Sequence, residues 1–236
     1  MSTSSPYTTR AVLFDLDGTL LDTAPDMVRS LNLLLQEEGA PTVDLSVARQ
    51  YVSDGTKALV TLGFGEQQST EAFTRRCQRY LTIYEENLCV DTDFFEGMAE
   101  TVEHLEEHNV LWGIVTNKPA FLTEPLVKAL GLDKRASVVI SGDSLPQCKP
   151  HPQPLFHAAG EIGLLTTECI YVGDAERDIV AGNRASMITL LASYGYIEDD
   201  AQPESWAANG IIQYPQEIID WLGELQAVDV DLTRAN

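Results

Sequence analysis

Two hydrophobic rhythms alternate along the chain. Short, nearly continuous apolar runs at Ala11–Phe14, Val110–Val115, Ser137–Ile140, Ile170–Val172 and Met187–Leu191 predict buried strands, with a weaker strand at Ile211 and Ile212. Between them the apolar positions fall at helical spacing. Met27, Val28, Leu31, Leu34 and Leu35 form one stripe, which predicts a helix over Thr23–Gly39 with Gly39 as its C-cap. The same spacing predicts helices over Leu45–Tyr51, Lys57–Leu62, Thr70–Asn87, Gly97–His108, Ala120–Leu130, Pro154–Ile162, Arg177–Ala185 and Pro215–Leu225.

Strand–helix alternation predicts βαβ units and therefore an α/β fold, a Rossmann-like, mostly parallel sheet flanked by helices. Residues 23–90 break the alternation, because strand-like runs are nearly absent there. They read as a helical domain inserted after the first strand, so that residues 10–22 and 91–225 build the α/β core. Residues 1–9 and 226–236 read as flexible tails. No internal repeat is visible, and 236 residues suffice for two such units.

The formal net charge of −21 narrows the partners. Nucleic acid and anionic membranes need a basic footprint, which this chain lacks. An anionic substrate would need a metal ion and at least one placed lysine to reverse the local field. Cys77, Cys89, Cys148 and Cys169 include no CxxC pair and read as free thiols. The Ser/Thr-rich start has no secretory pattern, and no apolar run reaches the length of a membrane span, so a cytoplasmic protein is expected. The state expected is a monomer or homodimer.

Parallel-sheet enzymes bind ligands beyond the carboxyl ends of their strands. Asp15 and Asp17 follow the first strand, two residues apart and so on one side of an extended backbone. Crowded carboxylates call for a cation or a shared proton. Thr116 and Asn117 end the strand at 110, Lys149 lies in the loop after the strand at 137, and Asp174 ends the strand at 170. Four separate segments thus deliver phosphate-type chemistry to one sheet edge.

In order, Asp15-Leu16-Asp17-Gly18-Thr19, Val115-Thr116-Asn117-Lys118, Lys149-Pro150 and Gly173-Asp174 through Asp178 resemble the four motifs of the haloacid dehalogenase superfamily. The helical insertion resembles that superfamily's type 1 cap. Within it the chain is similar to phosphoglycolate phosphatases. Phe95–Glu100, Leu111–Pro119 and Tyr194–Ile197 look closest to the branch acting on N-acetylmuramic acid 6-phosphate in cell-wall recycling. The resemblance implies a phosphomonoesterase with Asp15 as nucleophile and Asp17 as acid–base. Mg²⁺ would be held by Asp15, the backbone carbonyl of Asp17 and Asp174, with Asp178 in support. Thr116, Asn117 and Lys149 would grip the phosphoryl group of a small phosphorylated acid or sugar. A sugar phosphomutase would use the same motifs, and a non-catalytic binding protein could keep the fold. A dehalogenase fits less well, since its reaction leaves no alkoxide for Asp17 to protonate.

Ser53–Lys57 is a polar, glycine-centred break between helices, from which Gly55, Thr56 or Lys57 could reach the leaving group. His104 and His108 have the i, i+4 spacing of zinc ligands but no third ligand nearby, and read as surface. His151 lies two residues from Lys149, and a loop position without a role suits it equally. Tyr194 and Tyr196 could border a pocket, although packing aromatics is the simpler reading.

Overall fold

The computed structural model describes residues 9–199 and 201–222. Strand β1 (Ala11–Phe14) lies near the middle of a six-stranded sheet with β4 (Leu111–Val115), β5 (Val139–Ile140), β6 (Cys169–Gly173), β7 (Ile188–Ala192) and β8 (Gly210–Ile212). Their order is β5-β4-β1-β6-β7-β8, and every pairing is parallel. Both faces of such a sheet must be covered, and β1 shows how the sequence meets this. Val12 and Phe14 pack with Trp112, Ile114 and α5 (Met98–Glu107) and α6 (Ala120–Ala129). Ala11 and Leu13 point the other way, into a cluster with Leu155, Ala158 and Tyr171 that includes α7 (Gln153–Glu161) and α8 (Glu176–Arg184). The period of two along the strand therefore sorts side chains between two apolar layers.

Between β2 (Leu21–Asp22) and β3 (Asp93–Phe94) the chain forms α1 (Ala24–Glu37), α2 (Leu45–Ala48), α3 (Gly55–Phe64) and α4 (Thr70–Glu86). These helices have their own apolar cluster, built on Leu31, Leu34, Leu35, Leu59, Val60, Tyr80, Ile83 and Tyr84. The predicted helix at 45–51 is a single α-turn continued by a 3-10 turn over Arg49–Tyr51. Ser69 caps α4, its hydroxyl accepting from Ala72 N at 3.2 Å.

Strands β2 and β3 went unpredicted. They pair antiparallel, Leu21 with Phe94 and Asp22 with Asp93, and clasp the two chain segments that lead into and out of the helical block. Two-residue strands carry no periodicity to detect. Above them Asp26, fully buried on α1, accepts hydrogen bonds from the backbone N–H of Val90, Asp91 and Thr92 and from the Thr92 hydroxyl. Arg29 adds an ion pair at 2.9 Å.

The final predicted helix is present from Glu217 to Leu222, and its continuation to Leu225 lies outside the described residues. So do residues 1–8 and 226–236 of the expected tails. Thr9, placed in the first tail, is buried. The four cysteines are free thiols. Among the described residues no helix is long and apolar enough to cross a membrane.

Candidate active site

Strands β4, β1 and β6 are neighbours, about 4.8 Å apart by sheet geometry. The residues just past their ends, Thr116, Asp15 and Asp174, are therefore brought together by the sheet itself. Backbone bonds extend the ladder by one residue there, Asp15 N donating to Val172 O and Thr116 N to Ile140 O, both at 2.9 Å. All three side chains are buried.

Lys149 closes the group from the loop after β5. Its ammonium is fully buried and lies 2.9 Å from Asp15 Oδ1, 2.7 Å from Asp178 Oδ1 and 2.8 Å from the Tyr171 hydroxyl. Burial alone would depress its pKa, but Asp15 and Asp178 outweigh that and hold it above the ordinary lysine value. The lysine is therefore a fixed positive charge. Asn117 anchors its backbone through two hydrogen bonds, Nδ2 to Lys149 O at 2.9 Å and Lys149 N to Oδ1 at 3.0 Å. The predicted phosphate ligand Asn117 thus spends its side-chain amide on placing the lysine.

Asp174 accepts from the Thr19 hydroxyl at 3.3 Å, the Ser53 hydroxyl at 3.0 Å and Tyr196 N at 2.9 Å. Burial first, then the charges of Asp15 and Asp178, raise its pKa to about 7. Close backbone approach makes this packing possible. A Cβ on Gly18, whose φ is +83°, would overlap the Asp174 carboxylate, and one on Gly195 would overlap both Asp174 and the Gly18 carbonyl. The Tyr194–Tyr196 segment thus borders the site through backbone. Tyr196 also packs with the helical block, while its hydroxyl donates to Asp22 at 2.7 Å and accepts from Ala24 N at 2.9 Å.

One oxygen each from Asp15, Asp174 and Asp178 lies within 4.8 Å of the others, the one such grouping of potential metal ligands among the described residues. Hard divalent cations take oxygen donors of this kind. Lys149 pairs with Asp15 and Asp178, and the Arg177 guanidinium acts on all three carboxylates from a distance, but no cation forms an ion pair with Asp174 among the described residues. The donor set fits a divalent cation. The Asp17 carboxylate faces elsewhere, accepting from Thr23 Oγ1 at 2.6 Å and from Lys118 Nζ at 2.9 Å.

Asp15, Asp17, Thr116 and Asn117 line a cavity of about 360 Å³ between the sheet edge and the helical block. Met27, Leu81, Tyr84 and Leu122 give it an apolar wall, and Gly55 and Thr56 reach it from the 53–57 loop. Lys57 is exposed and lines a separate depression with Tyr51 and Ala58. Arg177, from the first turn of α8, clasps that loop by donating to Ser53 O at 2.7 Å and to Asp54 Oδ1 at 3.4 Å. A second depression, of about 510 Å³, shares Ser53, Asp54 and Arg177 with the first and opens on Asp174.

Sequence reading assigned no role to Lys118, Tyr84 or Arg177. Lys118 is buried within the second motif, and its ammonium also donates to the Tyr84 hydroxyl at 2.8 Å. Burial, then Asp17, pushes the Tyr84 phenol well above the ordinary tyrosine value, so it keeps its proton. The available signal was a lysine directly after Thr116-Asn117. Its partner is 34 residues away in the helical block, a distance no local pattern spans.

A parallel sheet with acidic groups and a buried lysine converging at its carboxyl edge defines a hydrolase or transferase of the α/β class. Comparison with known proteins makes this specific. A family model described as Haloacid dehalogenase-like hydrolase matches residues 12–192. The chain is 42% identical to a phosphoglycolate phosphatase of Xanthomonas campestris, over 89% of this chain and 94% of that one. It is 39% identical to an N-acetylmuramic acid 6-phosphate phosphatase of Pseudomonas putida, with the same coverage. The crystal structure of a predicted phosphoglycolate phosphatase from Haemophilus somnus superimposes with a TM-score of 0.80 at 26% identity, covering 91% of this chain and 98% of that one. The protein belongs to the haloacid dehalogenase-like hydrolase family.

Proposed function

We propose that the protein is a Mg²⁺-dependent phosphomonoesterase that hydrolyses a small phosphorylated acid or sugar through an aspartyl-phosphate. The observation that carries this reading is the meeting of Asp15, Thr116, Lys149 and Asp174 at adjacent strand ends, beside a cavity that Asp17 also lines. The names of the relatives support the substrate range, phosphoglycolate or N-acetylmuramic acid 6-phosphate.

In this reading Asp15 attacks phosphorus in line, forming an acyl phosphate as the ester P–O bond breaks and its electron pair leaves with the alcohol oxygen. Asp17 gives that oxygen a proton. It then takes one from the water whose attack on phosphorus frees inorganic phosphate and restores the Asp15 carboxylate. Lys118 and Thr23 hold Asp17 in one orientation. The Thr116 hydroxyl is a donor for the phosphoryl oxygens, and Lys149, whose three N–H groups go to Asp15, Asp178 and Tyr171, supplies fixed positive charge beside the nucleophile; both are buried and so preorganised. Asp15, the Asp17 carbonyl and Asp174 would hold Mg²⁺, with Asp178 in support, and the ion would neutralise charge on the transferring group. Helices α1–α4, within residues 23–90, would serve as a cap that excludes water. Four free thiols are consistent with a cytoplasmic setting.

The test is a phosphate-release screen of the purified protein with Mg²⁺ over phosphoglycolate, N-acetylmuramic acid 6-phosphate, hexose phosphates and nucleotides. Release from one or both of the first two is expected. Release from none of the compounds would overturn the reading, and isomerised sugar phosphate in place of free phosphate would favour a mutase.

A further inference from the structure

We propose that Lys118 and Tyr84 together form the subsite that recognises a carboxylate on the leaving alcohol. The inference rests on the phosphatase reading and deepens it by naming what the cavity reads besides phosphate.

The argument is one of unspent donors. The Lys118 ammonium has three N–H groups, and two are used, on Asp17 Oδ1 and on the Tyr84 hydroxyl. The Tyr84 hydroxyl uses a lone pair to accept from Lys118, so its own hydrogen needs an acceptor. None of the described residues supplies one. Tyr84 is almost fully buried, and an unsatisfied buried O–H is costly. Both residues line the cavity, with Asp17 on one side and the apolar Met27, Leu81 and Leu122 around them. Two adjacent donors, one of them cationic, flanked by Met27, Leu81 and Leu122 fit an anionic acceptor with two oxygens, while Arg177, the other cation lining the cavity, is engaged with Ser53 and Asp54. The pair begins 2.9 Å from the carboxylate expected to protonate the leaving oxygen, so the group it binds belongs to the leaving alcohol. Helix α4 of the helical block supplies Tyr84 and the sheet edge supplies Lys118, so the subsite is complete only when the two are packed together. Phosphoglycolate and N-acetylmuramic acid 6-phosphate both carry such a carboxylate, one on a two-carbon chain and one on a sugar ether.

The test compares kcat/KM for matched esters with and without the carboxylate. The pairs are 2-phosphoglycolate against ethyl phosphate, and N-acetylmuramic acid 6-phosphate against N-acetylglucosamine 6-phosphate. The native protein should favour the acid within at least one pair, and Tyr84→Phe should lower that preference about tenfold, as loss of a hydrogen bond to a charged group predicts. The pair in which it falls identifies the short or the sugar acid as the source. Lys118→Gln should lower the same ratio and Lys118→Arg should recover part of it, which keeps the question open to measurement if Tyr84→Phe does not fold. Calorimetric binding of the same compounds to Asp15→Asn protein reads the discrimination without turnover, so a failed phosphatase reading and a failed subsite give different results. An unchanged ratio in both pairs would overturn the proposal.

Discussion

Asp15 has one backbone and one side-chain environment that together define its task. Its Oδ1 accepts from Leu16 N at 2.7 Å and faces Lys149 at 2.9 Å, so the carboxylate is held still in a nearly dry site. Asparagine preserves that shape and removes the oxygen proposed as nucleophile. Asp15→Asn should lower kcat by at least about 10⁴-fold while the thermal unfolding temperature stays within a few degrees of native, because Lys149 keeps Asp178 as a partner. Steady-state phosphate release and a melting curve on the same preparation check both halves, and substantial activity in the variant would remove Asp15 from the chemistry. Asp15, Asp17, Thr116, Lys149 and Asp174 were legible from sequence because each ends or follows a predicted strand, and parallel sheets place ligands there. Lys118 was not. A single lysine looks the same in sequence whether it is solvated or buried against Tyr84. Asn117 lines the cavity as its place in the motif suggested, and its side-chain amide binds the Lys149 backbone, a contact no local pattern announces.

At the scale of elements, the helical block was legible as helices because α1 and α4 keep an apolar stripe over fourteen and seventeen residues. How it is fastened was not legible. The β2–β3 clasp, the Asp26 anchor and the Arg177–Ser53 contact each join segments more than sixty residues apart. Asp26 is the most exacting of these, a carboxylate with no exposure that answers three consecutive backbone N–H groups of the returning chain. Removing it leaves those donors without their acceptor and Arg29 with Asp91 alone. Asp26→Ala should cost about 2–3 kcal/mol of stability, as the loss of a buried charged hydrogen-bond acceptor predicts. The measure is a shift of the denaturant midpoint at unchanged m-value. A cost below about 1 kcal/mol would show that the anchor is replaced by water and does not fasten the block.

The whole molecule carries a net charge of −21 and yet gathers three buried carboxylates at one sheet edge, which ties its stability to protons and, in the proposed function, to metal. Asp174 has a folded-state pKa of about 7 against an ordinary value of 3.8, raised by burial and by Asp15 and Asp178. Between those values the folded chain holds a proton that the unfolded chain releases. As far as this group is concerned, stability of the metal-free protein should therefore be greatest below about pH 4, fall as pH rises from there toward 7, and level off above it. The full loss is on the order of 4 kcal/mol. A divalent cation requires the carboxylate ionised, so proton and metal compete for the same oxygens. Mg²⁺ should then raise the unfolding temperature more at pH 8 than at pH 5.5, and chelator should return the pH 8 curve to its metal-free position. Asp174→Asn should flatten the metal-free pH dependence and abolish the Mg²⁺ shift together, since one side chain is responsible for both. Thermal unfolding at the two pH values, with and without Mg²⁺, separates the cases. An equal Mg²⁺ shift at both pH values, or one that survives Asp174→Asn, would place the ion elsewhere and leave Asp174 as a buried acid whose charge the fold merely tolerates.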